Sequence, residues 1–138
     1  MTCEQKACAY FQKGQGYSCA QAVFLPFMED SALSKEHAAV LSAAFGGGVG
    51  GLAETCGALC GAAMALAYHT HPADPHDSAG KEAYRETMAR LAEAFKAAYG
   101  STQCVALKPR SAAQPPRADA RPCTEYVAFC ARYLEELL

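Results

Sequence analysis

Ser78 to Gly100, SAGKEAYRETMARLAEAFKAAYG, is the stretch whose reading decides the fold. Tyr84, Met88, Leu91, Phe95 and Tyr99 recur at spacings of four, three, four and four residues. That period places them on one face of an α-helix, whereas a half-buried strand alternates every second residue. Gly100 is a natural stop, because glycine accepts the left-handed conformation that ends many helices. Working outward, the same kind of pattern repeats on a shorter scale. Upstream, helices are expected over Thr2 to Lys13, from Ser18 with Cys19, Val23 and Phe27 on one face, from Ser34 with Ala38, Leu41 and Phe45 inward, and from a Thr55 cap into Cys56 and on to His69. Pro26 should kink or shorten the second of these. Downstream, a short helix after Ser101 carries Cys104 and Leu107, and Lys108 to Arg121 reads as an exposed loop. Pro122 is expected to open a last helix at its first position, with Cys123, Val127, Cys130, Leu134 and Leu137 inward. Alanine is frequent and no alternating β-branched run occurs. The expectation is a single all-α domain over residues 1–138, a compact bundle of five to six short helices.

Between the third and fourth helices lies Gly46-Gly47-Gly48-Val49-Gly50-Gly51, which no helix survives. It leads into Cys56-Gly57-Ala58-Leu59-Cys60-Gly61. Glycines ahead of such a helix let the backbone approach a cofactor and offer N–H groups to sulfur or to an anion, which makes Gly46, Gly47, Gly48 and Gly57 cofactor-binding candidates. Nucleotide readings fail: no Gly-Lys-Ser/Thr follows, and a helix rather than a strand precedes the glycines. The plainer alternative is a sharp helix reversal.

The chain has eight cysteines. Cys19, Cys56 and Cys123 fall at predicted helix starts, and Cys104 lies about one turn into its helix. Unpaired N–H groups and the helix dipole there favour thiolate, the form that binds metals and attacks disulfides. Cys56 and Cys60 stand four apart, on the same helix face, which suits two ligands of one metal or an attacking thiol and its resolving partner. Cys3, Cys8, Cys60 and Cys130 lie in helix bodies or near the N-terminus, where cysteine also serves as a small core hydrophobe. A second group, His69, His71, Asp74, His76 and Asp77, could supply a metal site but reads more simply as a solvated loop. His37 is given no role.

Composition excludes several classes. The net charge of −2, with no basic stripe, argues against nucleic acid and anionic membrane as partners. No apolar run approaches the roughly 18 residues of a membrane span. The start, Met1-Thr2-Cys3-Glu4-Gln5-Lys6, reads as neither a signal peptide nor a lipobox, so a cytoplasmic location is expected. In a reducing compartment, cysteines at this density point to metal binding or redox chemistry rather than to disulfide staples.

The chain resembles a family of redox-active proteins named for a C…GCAxxG…C…C cysteine pattern. The resemblance is carried by Gly16-Tyr17-Ser18-Cys19-Ala20-Gln21-Ala22-Val23, Phe45-Gly46-Gly47-Gly48, Cys56-Gly57-Ala58-Leu59-Cys60-Gly61, and then Cys104 and Cys123. It implies a helical, redox-linked protein with Cys19, Cys56, Cys104 and Cys123 as signature cysteines. The family is also distantly similar to a domain of split-Soret cytochromes associated with an iron–sulfur centre; the absence of Cys-x-x-Cys-His argues against covalent haem here. Four readings follow. The four cysteines could hold an iron–sulfur cluster or other metal and exchange electrons with an unidentified redox partner. Cys56 could work as a thiol–disulfide attacker with Cys60, Cys19 or Cys123 as partner. The same four could hold structural zinc. Last, the protein could be a cofactor-free interaction module, including a homodimer, with inert cysteines.

Overall fold

The computed structural model describes all residues, 1–138, and contains seven α-helices and no strand: α1 (Cys3–Tyr10), α2 (Cys19–Phe24), α3 (Lys35–Ala43), α4 (Gly57–Thr70), α5 (Ser78–Tyr99), α6 (Cys104–Ala113) and α7 (Thr124–Leu137). The all-α expectation holds, with more helices than the five to six expected. A 3₁₀ turn, Leu25–Met28, follows α2, because Pro26 interrupts the α-helical pattern as its fixed ring requires. No helix is long and apolar enough to cross a membrane.

Local chemistry explains the boundaries. The Thr2 and Ser18 hydroxyls accept from the N–H groups of Gln5 and Gln21, and those glutamine side chains reach back to the cap N–H groups. These are capping boxes, each satisfying two otherwise orphaned donors. Asp77, one residue before the expected Ser78, caps α5 by accepting from the Gly80 N–H at 2.9 Å. Gly100 ends α5 in the left-handed conformation with φ +83°. α1 stops at Tyr10 rather than Lys13. In α3, Ala38 and Ser42 face the core; Leu41 is exposed and Phe45 lies beyond the helix, half-buried, so that face is rotated from the expected one.

The largest departure lies after Cys104. Pro109 was expected to belong to an exposed loop, yet α6 continues through it to Ala113 and buries Leu107 and Ser111. Only one intrahelical donor is lost at a proline, and the buried Leu107 and Ser111 anchor the turns on either side. Pro122 does not open the last helix. Cys123 is its cap, in a left-handed conformation at φ +78°, and α7 starts at Thr124. Leu137, expected inward, is more than a third exposed.

One buried cluster draws side chains from every helix, with Phe24, Leu59, Leu66, Leu91, Phe95, Leu107, Tyr126 and Leu134 the bulkiest of its most deeply buried members. Each such side chain contributes about 1.5–3 kcal/mol by leaving water. Phe95, Tyr99, Tyr126 and Phe129 meet edge-on with centroids 4.9–5.7 Å apart, tying α5 to α7. Small residues bring α2 and α4 together: a Cβ on Gly61 would overlap the Ala20 carbonyl. That contact sets the separation of the two helices whose N-terminal ends carry Cys19 and Cys56.

The glycine-rich segment is a left-handed turn. Gly47, Gly48, Val49, Gly50 and Gly51 have φ of +64°, +72°, +66°, +61° and +78°. Such backbone costs about 1–2 kcal/mol for each L-residue with a side chain, which accounts for glycine at four of the five positions. The turn is fastened by Gly50 N–H to Ala44 O (2.6 Å), Ala53 N–H to Gly47 O (3.0 Å) and Glu54 N–H to Gly48 O (2.9 Å).

Candidate functional site

The structure places all four signature cysteines at helix N-termini. Cys19 is the first residue of α2 and Cys104 the first of α6, a turn earlier than expected. Cys56 and Cys123 are the cap residues of α4 and α7; Thr55 is not the cap. Position at a helix start does not by itself define the group, because Cys3 opens α1 and has Glu135, not a thiol, for its neighbour.

Contacts between the flanking segments draw the four together. Cys19 Sγ lies directly against Gly57, where a Cβ would overlap the sulfur and come within 2.9 Å of the Phe45 carbonyl. The residues around Thr55 and Gln103 form an isolated antiparallel bridge. The Cys56 N–H donates to Thr102 O at 2.8 Å, the Cys104 N–H to Glu54 O at 2.6 Å, and the Val105 N–H to Ala53 O at 3.0 Å. Gly48 packs on the same junction, where a Cβ would sit 2.6 Å from Cys104 Cβ and from Glu54 N. Ser111, buried in α6, fastens the fourth member: its Oγ accepts from the Cys123 N–H at 2.7 Å and donates to Glu125 Oε1 at 2.5 Å. Neither is visible in the sequence: the bridge pairs residues far apart in the chain, and the Ser111 clamp depends on α6 running through Pro109.

Electrostatics report the same convergence. Burial pushes the Cys56 thiol up to about 12 from the usual 9.0, and the charges of Cys19 and Cys123 add to it; the N–H groups of Leu59 and Ala58 pull the other way without making a capping bond. Burial likewise takes Cys123 to about 12, followed by Cys19, Cys104 and Glu125. Cys104 is raised by burial and by Cys19, against Lys108. Cys56, Cys104 and Cys123, expected as thiolates, are therefore held toward the protonated thiol in the metal-free protein. Desolvation and the neighbouring sulfurs outweigh the helix ends.

Two cysteines outside the signature lie close by. Cys60 is raised by burial and then by Cys19, and Cys130, fully buried in α7, is raised well above its usual value by burial and then by Cys56, Cys19 and Cys60. Cys60 donates weakly to Thr55 O at 3.9 Å. Cys3 and Cys8 do not join the group. No three His, Cys, Asp or Glu side chains are set to hold one metal ion.

Of the glycines singled out, Gly48 and Gly57 abut the sulfur-bearing residues and Gly46 packs on Ser18, where a Cβ would lie 2.6 Å from Ser18 Cβ. The N–H groups of Gly47, Gly48 and Gly57 have no hydrogen-bond partner in the protein. In the histidine group, His69 Nε2–H donates to Phe27 O at 2.8 Å, His71 Nδ1–H to Pro72 O at 2.9 Å, and Asp74 accepts from the backbone N–H of His76.

No curated protein and no solved structure matches the chain. A family model described as "Putative redox-active protein (C_GCAxxG_C_C)" matches residues 17–137, a span that includes all four of the converging helix-start cysteines. With nearly the whole chain inside that match, the protein belongs to this redox-active C_GCAxxG_C_C family.

Proposed function

We propose that Cys19, Cys56, Cys104 and Cys123 hold an iron–sulfur cluster and that the protein exchanges single electrons with a partner redox protein. The observation that carries this reading is the meeting of four helix-start thiols at one electrostatically coupled site, beside glycines whose side-chain space is already taken by Cys19 and Cys104. The donor set fits: a cluster takes four thiolates, and N–H groups directed at sulfur stabilise the charge it carries. When bound, such a cluster supplies reversible one-electron oxidation and reduction.

The chain's own residues prepare the site. Gly48 and Gly57, which abut Cys104 and Cys19, leave their N–H donors unpaired. Cys56 is buried and shields its side of the site from water, while Cys19, Cys104 and Cys123 are half-exposed and give a partner access. Thiols held in the protonated form surrender their protons only to a strongly binding cation, so loading releases protons.

The thiol–disulfide reading draws less support. A thiol–disulfide attacker needs a thiol whose pKa lies near ambient pH, and Cys56 is held at about 12. Structural zinc would use the same four thiolates, and acid-labile sulfide is what tells the two apart.

The test is elemental analysis of protein purified without oxygen and without a metal-binding tag. Iron with equimolar acid-labile sulfide, lost in Ser variants of Cys19, Cys56, Cys104 or Cys123 and kept in Ser variants of Cys3 and Cys8, is the expected result. Zinc without sulfide, or no stoichiometric metal, refutes the assignment.

A further inference from the structure

A cavity of about 650 Å³, lined by none of the four signature cysteines, lies between the C-terminal end of α1, the start of α7 and the loop from Pro116 to Arg121. Its walls carry Lys13, Arg117, Arg121 and Arg132 against only Asp119 and Glu125. This is a basic pocket on a chain whose net charge is −2, so it does not follow from overall composition. A second cleft of about 390 Å³ adjoins it, sharing Lys13 and Arg121 and adding Gly14 and Gly16.

The cations are unequally committed. Arg117 faces Asp119 at 3.6 Å and Arg132 faces Glu4 at 3.6 Å, both as exposed pairs. Arg121 lies flat over the Phe11 ring, 4.1 Å from its centroid, and gives one N–H to Tyr17 O at 2.6 Å. The rest of its five donors stay available. Lys13 has no ion pair or hydrogen bond. Glu125 is occupied by Ser111. Beside these groups lie the half-buried rings of Tyr99 and Phe129, while Phe11 lies beneath Arg121. Clefts of this size, lined by aromatics with a few converging polar groups, hold small organic ligands, and paired Lys and Arg donors select carboxylate or phosphate.

We propose that this cavity binds a small organic anion, a phosphate or carboxylate on a flat apolar body, with the anionic group between Lys13 and Arg121 and the body toward Tyr99 and Phe129. The inference does not rest on the cluster assignment. Thr124, in the cavity wall, follows Cys123 directly, so a ligand here sits one residue from a signature cysteine.

The probe is 1-naphthyl phosphate, titrated by fluorescence against the full chain, with 1-naphthol and inorganic phosphate as its separated halves. The ester is expected to bind about tenfold or more tighter than either half, and Lys13→Gln to weaken it about fivefold, as losing one charge contact at a partly screened site implies. Lys13 is exposed and makes no ion pair or hydrogen bond, so that variant should fold normally. Cys8 lines the cavity and Cys3 does not; bound ester should therefore slow alkylation of Cys8 by N-ethylmaleimide, read by mass spectrometry, and leave Cys3 unchanged. Naphthol binding as tightly as its phosphate, unchanged affinity in Lys13→Gln, or equal protection of Cys3 and Cys8 would each overturn the proposal.

Discussion

Replacing Gly48 by alanine tests how the left-handed turn supports the cysteine site. Two costs are expected. Gly48 sits at φ +72°, where an L-residue costs about 1–2 kcal/mol. The added Cβ would meet Cys104 Cβ and Glu54 N at 2.6 Å and the Ala53 carbonyl carbon at 2.8 Å, and each must retreat to at least 3.4 Å. Two of those three neighbours are backbone, so the strain cannot be relieved by a rotamer change. Overpacking of this kind costs about 1–3 kcal/mol. The total of about 2–5 kcal/mol is a large part of the roughly 5–15 kcal/mol stability of an ordinary domain but does not exceed it. The control is Gly51→Ala, at φ +78° with nothing within 4 Å of its Cβ. It incurs the backbone cost alone. Urea unfolding of both variants, reduced and metal-free, should place Gly48→Ala about 1–3 kcal/mol below Gly51→Ala. If the proposed cluster is present, Gly48→Ala should also lose its iron, because the Glu54–Cys104 hydrogen bond lies where the new methyl group must go. Equal unfolding midpoints, or full iron content in Gly48→Ala, would refute the idea that this glycine sets the position of Cys104.

Ser111→Ala removes the hydroxyl that holds the Cys123 N–H and the Glu125 carboxylate; a loss of about 1–3 kcal/mol is expected in thermal or urea unfolding, with faster alkylation of Cys123. The metal-free protein should lose stability as pH rises above about 9. There the unfolded chain sheds thiol protons that folded Cys56 and Cys123 keep up to about 12, so the unfolded state binds fewer protons and the slope is negative, at most about 1.4 kcal/mol per pH unit for Cys56 and less for the half-exposed Cys123. Below the usual 9.0 these thiols contribute no slope; urea unfolding at pH 7, 8, 9 and 10 checks this, and Cys56→Ala should flatten the alkaline limb. Gly61→Ala forces α2 off α4 at the Ala20 carbonyl and should lower the thermal midpoint more than Gly51→Ala does.

Much of the fold could be read in advance because it rests on periodicity and capping, which are local. The α5 stripe, the Ser18 and Ser34 caps and the Pro26 break all depend on residues within a turn of one another. The errors arose where a distant contact overrode a local signal. Pro109 reads as a breaker, yet α6 passes through it with Leu107 and Ser111 buried on either side. Pro122 reads as a helix opener, yet Ser111 captures the Cys123 N–H and the helix starts two residues later. At the site, helix starts marked Cys19, Cys56 and Cys123, and they would have marked Cys3 as well. What separates Cys3 is three-dimensional: its neighbour is a carboxylate. The protonation of the thiols was also out of reach, because burial depends on the whole packing.

The turn from Gly47 to Gly51 has a consequence of a different kind. Its backbone has the handedness natural to a mirror-image amino acid, so what its positions require is achirality rather than looseness, and the genetic code offers one achiral residue. Val49 bears the cost of that handedness with its side chain partly exposed, while the backbone facing Cys104 stays bare. Chemical synthesis is not bound by that alphabet. A chain carrying D-alanine at Gly50 should keep the turn that L-alanine strains, and should hold it more stiffly than glycine does.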